Sequence, residues 1–190
     1  MRFQSRSPET LNSPQRSLYQ RITETRRTKP DAPLPGPFGP WLLIPEVGQH
    51  LCELGHALRY QSQFSRAVME IGILVTARYW RSNFEWYAHA PMAREAGITD
   101  TQIEHIKQGE RPLFQEAAQQ IAFDAATELV ETRTLSEPTF NRLQLELGEE
   151  GSINFVALIG YYLGVSAMLN VFDIPVPVQA WYRDIKDIQH

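Results

Sequence analysis

From Gly151 to Phe172 the chain reads GSINFVALIGYYLGVSAMLNVF, without one charged side chain. A run of that length is either a bilayer span or a helix buried in protein. Asn154, Ser166 and Asn170 interrupt it, together with two tyrosines, and acidic Glu149, Glu150 and Asp173 flank it where the lysines and arginines of a membrane anchor belong. It is therefore read as a helix covered by a protein core or by a neighbouring subunit, and no membrane partner is expected.

The remaining apolar spacing is helical nearly throughout, with no alternating strand pattern, so the chain is expected to be all-α. Ser13 followed by Pro14 opens a polar helix to about Arg27, and the connector KPDAPLPGPFGP follows it. Pro45 opens a helix to about Tyr60. Ser62 is expected to cap a helix from Gln63 to about Trp80, with Phe64, Ala67, Val68, Ile71, Leu74 and Val75 as its apolar stripe and Glu70 at the edge of that stripe. The next helix ends at Gly97. Thr99 caps a short one through Lys107, a longer one covers about Phe114 to Thr132, and Ser136 with Pro138 starts another to about Leu147. The uncharged helix comes last, stopped by Pro175 and Pro177.

At 190 residues this is one domain with a sizeable core. Residues 1–30 are read as a basic helical extension, with seven Arg or Lys against two Glu, and residues 31–190 as the all-α domain, which keeps 11 positive and 20 negative side chains. A basic arm on an acidic body reads either as a solvated tail or as a reach toward a neighbouring subunit. The net charge of -4 gives no reason to expect nucleic acid. Cys52 is the sole cysteine, which excludes an internal disulfide or a redox pair. The basic start MRFQSRSPET lacks the apolar stretch of a secretory leader, so a cytoplasmic location is expected.

The segment RSNFEWYAHAPMAREAGIT raises a chemical question. On a helix, Ser82, Glu85, Trp86, His89, Ala93 and Ala96 fall on one stripe, opposite Tyr87, Arg94 and Glu95. That stripe buries a glutamate and a histidine, at a cost of roughly 1 to 3 kcal/mol for each polar group left without a partner. A proton-handling site is one reason to accept the cost. A core histidine satisfied by a neighbouring carboxylate is the other. The preceding helix packs back on this one across a tight connection and can bring Glu70 to the Glu85 and His89 face.

These residues resemble the carboxymuconolactone decarboxylase and alkylhydroperoxidase D-like family. The hydroperoxidase signature is a glutamate, eleven residues, Cys-x-x-Cys, three residues and a histidine. This chain has Glu70, then Ser82 and Glu85 at the cysteine positions, then His89. The sequence EWYAHAPMAREAG is similar to the decarboxylase-like branch, and GPFGPWLLIPEVGQHLCELGHALRY upstream and LIGYYLGVSAMLNVFDIPVP downstream extend the resemblance over most of residues 31 to 177.

The resemblance implies an all-α, oligomeric multi-helix bundle, trimeric or hexameric. It also implies cofactor-free acid/base chemistry, decarboxylation of a small carboxylated lactone or a similar aromatic-degradation intermediate. Thiol peroxidase activity is not expected, because that reaction needs a thiolate and a resolving thiol. His89 would then be the general acid/base, Glu70 its orienting partner and Glu85 a second proton carrier or electrostatic element. Ser82 is a candidate for a substrate oxygen, or an exposed hydroxyl at a helix start. Arg78 and Arg81 offer forks for an anionic substrate, or are solvated helix-end charges. Trp86 and Tyr162 wall a pocket, or are plain core.

No metal is expected. Glu85 and His89 are four apart, not the three of di-iron Glu-x-x-His elements, His-Glu-x-x-His is absent, and His50 and His56 lie on different faces of an earlier helix. A non-catalytic member whose polar residues only knit helices together, and a different cofactor-free isomerase or lactone hydrolase, remain as alternatives.

Overall fold

The computed structural model describes residues 2–26 and 31–176, and among these every regular element is helical. The helices are α1 (Ser13–Arg26), α2 (Phe38–Trp41), α3 (Pro45–Tyr60), α4 (Arg66–Tyr79), α5 (Asn83–Glu95), α6 (Asp100–Gln108), α7 (Ala117–Thr132) and α8 (Glu137–Val171). Arg27 and Pro177, the expected bounds of the first and last helices, lie outside the described residues.

Helix α4 is the axis of the bundle, touching α5, α6, α7 and α8. Every residue from Ala67 to Ala77 is buried, so the expected one-sided stripe is in fact a helix covered all round, and Glu70 sits inside the core and not at its edge. Helix α8 crosses it closely. A Cβ placed on Gly72 would come within 2.9 Å of the Phe155 ring, so the glycine sets how near the two helices run. The start of α4 differs from expectation. Ser65, not Ser62, occupies the N-cap and accepts from the Val68 amide at 3.3 Å, while the Ser62 hydroxyl donates to the Leu58 carbonyl and closes the end of α3. The helix expected from Phe114 likewise starts later, at Ala117, and the connector contains the short α2.

Helix α8 is two helical segments that meet at a kink, Gly148, whose φ of 72° and ψ of 176° are not helical, so the break expected between Leu147 and Gly151 is present. Its length and composition suffice to cross a membrane, yet Phe155, Leu158, Ile159, Tyr162, Val165 and Leu169 are buried against the bundle. Helix α1 packs on α3: Leu18, Tyr19 and Ile22 form a second cluster with Leu11, Leu34 and Leu42, and Arg21 pairs with Glu53 at 3.1 Å. One face of the basic helix is therefore docked on its own chain, while Arg16 and Arg21 stay exposed.

Candidate active site

The centre of the site is built by two helices. Ser82 ends the tight connection after α4, its amide donating to the Ala77 carbonyl at 2.8 Å, and this turns α5 back along α4. Glu85 and His89 then lie one turn apart on the face of α5 that meets α4, and Glu70 comes from the second turn of α4. His89 Nδ1 is 2.7 Å from Glu70 Oε2, and Nε2 is 3.3 Å from Glu85 Oε2. The side chains of Glu70, Glu85 and His89 are no more than 5% exposed.

Burial alone would lower the His89 pKa, because it penalises the charged ring. The hydrogen bonds to Glu70 and Glu85, together with their charges, outweigh it and raise the pKa to about 9. The two glutamates therefore favour the charged form of the ring.

Helix α8 closes one side. The Tyr162 ring meets His89 edge-on, with centroids 5.2 Å apart, and is itself 5.2 Å from the Tyr161 ring. Burial holds the Tyr162 hydroxyl well above its ordinary pKa, so it is a neutral donor. Ser166 follows one turn later and is buried, and the Asn170 amide reaches the Trp80 carbonyl at 2.6 Å, which ties α8 to the α4–α5 connection.

The structure brings Glu70, Glu85 and Tyr162 to His89, and Ser82 and Trp86 are buried at the start of the same helix, α5. Ser82 is fully buried, which rules out an exposed hydroxyl, and its Oγ has no hydrogen-bond partner. Glu70 Oε1 and Ser166 Oγ are likewise buried and unpartnered. Arg78 and Arg81 are not brought in. The Arg78 guanidinium lies over Gly109 at the end of α6, where a Cβ would collide with it, and Arg81 is exposed with a φ of 48°. Neither is paired with Glu70, Glu85 or His89.

Three residues beside the site escape the sequence reading: Arg59, Tyr161 and Ser166. Arg59, at the end of α3, has a buried Nη2 without a hydrogen-bond partner, and its charge acts on both Tyr161 and Tyr162. Cys52 is far from thiolate character, its pKa raised to about 11 chiefly by burial. Among the described residues no three His, Cys, Asp or Glu side chains are arranged to hold a metal ion. The ring nitrogens of His89 face carboxylates instead.

Residues 45–128 match the model of the carboxymuconolactone decarboxylase family. No curated protein matches the chain. The matched stretch runs from the start of α3 into α7 and contains Arg59, Glu70, Ser82, Glu85 and His89, whereas Tyr161, Tyr162 and Ser166 lie beyond it. Over residues 45–128, from α3 into α7, the chain is similar to the carboxymuconolactone decarboxylase family.

Proposed function

We propose that the chain is a cofactor-independent acid/base enzyme that decarboxylates a small carboxylated lactone or a related ring acid, with His89 as proton donor. One observation carries this reading: Glu70, which holds the His89 ring, has its Oε1 buried without a partner, and Ser82 Oγ at the start of α5 and Ser166 Oγ on α8 are buried and unpartnered on the helices that build the site. A network that only knits helices gains from satisfying its polar atoms, since each orphan in a dry interior costs roughly 1 to 3 kcal/mol. The near-complete burial of the three side chains favours that structural role. The open polar atoms weigh against it.

The chemistry follows from the two unequal ends of the ring. Decarboxylation breaks the bond between a ring carbon and its carboxylate. The electron pair passes into the adjoining unsaturated carbonyl system as CO2 leaves, and the resulting enolate takes one proton. The Nδ1 side of His89, 2.7 Å from Glu70, is the anchored end. The Nε2 side, 3.3 Å from Glu85, is the looser one and supplies the proton, directly or through Glu85. The neutral ring then recovers a proton from water by the same route. Glu70 keeps the ring oriented and favours its charged form. A positioned acid of this kind contributes about 10² to 10⁴ in rate.

The reading is tested by incubating small carboxylated lactones and unsaturated ring acids with the wild type and with His89→Ala, and weighing the products by mass spectrometry. The expected result is a product lighter by one CO2, formed at least about a hundredfold more slowly by the variant. A product heavier by one water, or of unchanged mass, would make this a lactone hydrolase or an isomerase. Equal turnover by a folded His89→Ala would remove His89 from the mechanism.

A further inference from the structure

The site as described carries two carboxylates against one histidine, a net negative charge even with the ring charged, and so repels the anionic substrate proposed for it. A balancing cation is needed beside it, and neither Arg78 nor Arg81 is placed to serve. Arg59 is. On the last turn of α3 its Nε donates to the Gly55 carbonyl at 2.8 Å, and its guanidinium carbon stands 5.5 Å from the centre of the Tyr60 ring. Nη2 is buried with no hydrogen-bond partner.

The surroundings of Arg59 lead back to His89. Tyr161 reaches α3 by donating its hydroxyl to the Leu51 carbonyl at 3.1 Å, an approach that Gly55 permits, since a Cβ there would stand 2.3 Å from the Tyr161 oxygen. Tyr161 packs edge-on against Tyr162, and Tyr162 edge-on against His89. Tyr162 is thus within the field of Arg59 on one side and of Glu70 and Glu85 on the other. Arg59 and Tyr161 are both only partly buried, whereas Tyr162 and His89 are buried.

The chemistry also limits which anion Arg59 suits. A carboxylate about to leave as CO2 gives up its charge in the transition state, and a cation on it would stabilise the ground state more than the transition state. A guanidinium is better placed on a carboxylate that stays.

We propose that Arg59, with Nη2 donating beside Tyr161 and Tyr162, is the anchor for a carboxylate that the bound molecule retains. The assignment of a retained group rests on the decarboxylation reading; the anion site itself is tested without turnover. Benzoate and its neutral counterpart benzamide are titrated into the full chain and followed by ¹⁵N NMR. The wild type is expected to bind benzoate at least about tenfold more tightly than benzamide, the scale of one charge-assisted hydrogen bond. Arg59→Gln abolishes that preference, Arg59→Lys keeps part of it, and His89→Gln keeps it.

Equal binding of the two ligands by the wild type, no binding of benzoate at millimolar concentration, or an undiminished preference in folded Arg59→Gln would overturn the proposal. Should Arg59→Gln fail to fold, Arg59→Lys decides: a reduced preference supports the anchor and an unchanged one overturns it. A His89→Gln protein that retains both the benzoate preference and turnover would sink the acid/base reading and leave the anion site standing.

Discussion

His89 is held by groups that both favour its charged form, and they are unequal in reach. Glu70 contributes a 2.7 Å hydrogen bond from a fully buried position, and Glu85 a 3.3 Å one from the same helix as the histidine. Replacing Glu70 by Gln preserves an acceptor and removes a charge, so the His89 pKa must fall from about 9. If the imidazolium is the reactive form, activity disappears as pH rises through that pKa. The alkaline limb of the pH–rate profile in Glu70→Gln is therefore expected to move to lower pH by about one unit or more, the usual effect of one close opposite charge. An unmoved limb would separate Glu70 from the proton chemistry. Much at this scale is legible in the sequence. Glu85 and His89 meet because four residues is one helical turn, and the distance from Glu70 to Ser82 fits a helix, a tight connection and a return. Arg59 is not legible, because its approach runs through Gly55 and Tyr161, a contact between α3 and α8 that no sequence spacing records.

Among the elements, α4 matters most, since it carries Glu70 and is covered on all sides. Its position depends on the close crossing with α8 at Gly72. Gly72→Ala puts a Cβ 2.9 Å and 3.0 Å from the Phe155 ring and 3.1 Å from Ile159, contacts that ring and methyl cannot all relieve. The variant is expected to lose about 1 to 3 kcal/mol of stability, the common cost of overpacking a core, despite alanine's better helix propensity. A denaturant midpoint equal to or above that of the wild type would show that α8 can move away freely. Helix existence and type are readable here from periodicity and from caps such as Thr99, whose capping box with Gln102 is formed. The starts of α4 and α7 are not. Two serines, Ser62 and Ser65, compete for one cap, and the deciding factor is that Ser62 is already engaged with the Leu58 carbonyl of α3. That choice belongs to tertiary packing, as does the burial of α4 all round, which a stripe on its own cannot foretell.

At the scale of the whole molecule, α8 has two faces. The inner one carries Tyr162 and Ser166 to the site, and the outer one exposes Ile153, Val156, Gly160, Gly164 and Val171, spaced as one helical stripe without a charge. An apolar stripe of this kind is best covered by a second copy. We expect the protein to sediment as an assembly larger than the 21.8 kDa chain at micromolar concentration, and Ile153→Lys with Val156→Lys to shift it toward monomer. A monomer at all concentrations would reject self-association. The uncharged run makes the need for cover visible in the sequence, and only the packing of α8 divides that cover between the bundle and the outer face.

The acid/base reading depends on one buried charge. The protonation of His89 can be followed directly by ¹⁵N NMR of the imidazole nitrogens in the wild-type protein across pH 5 to 10. Both nitrogens are expected to report an imidazolium at pH 7, with the transition near pH 9. A ring that is neutral at pH 7 would contradict the account, since burial would then have outweighed Glu70 and Glu85 and left His89 without the proton it is proposed to deliver.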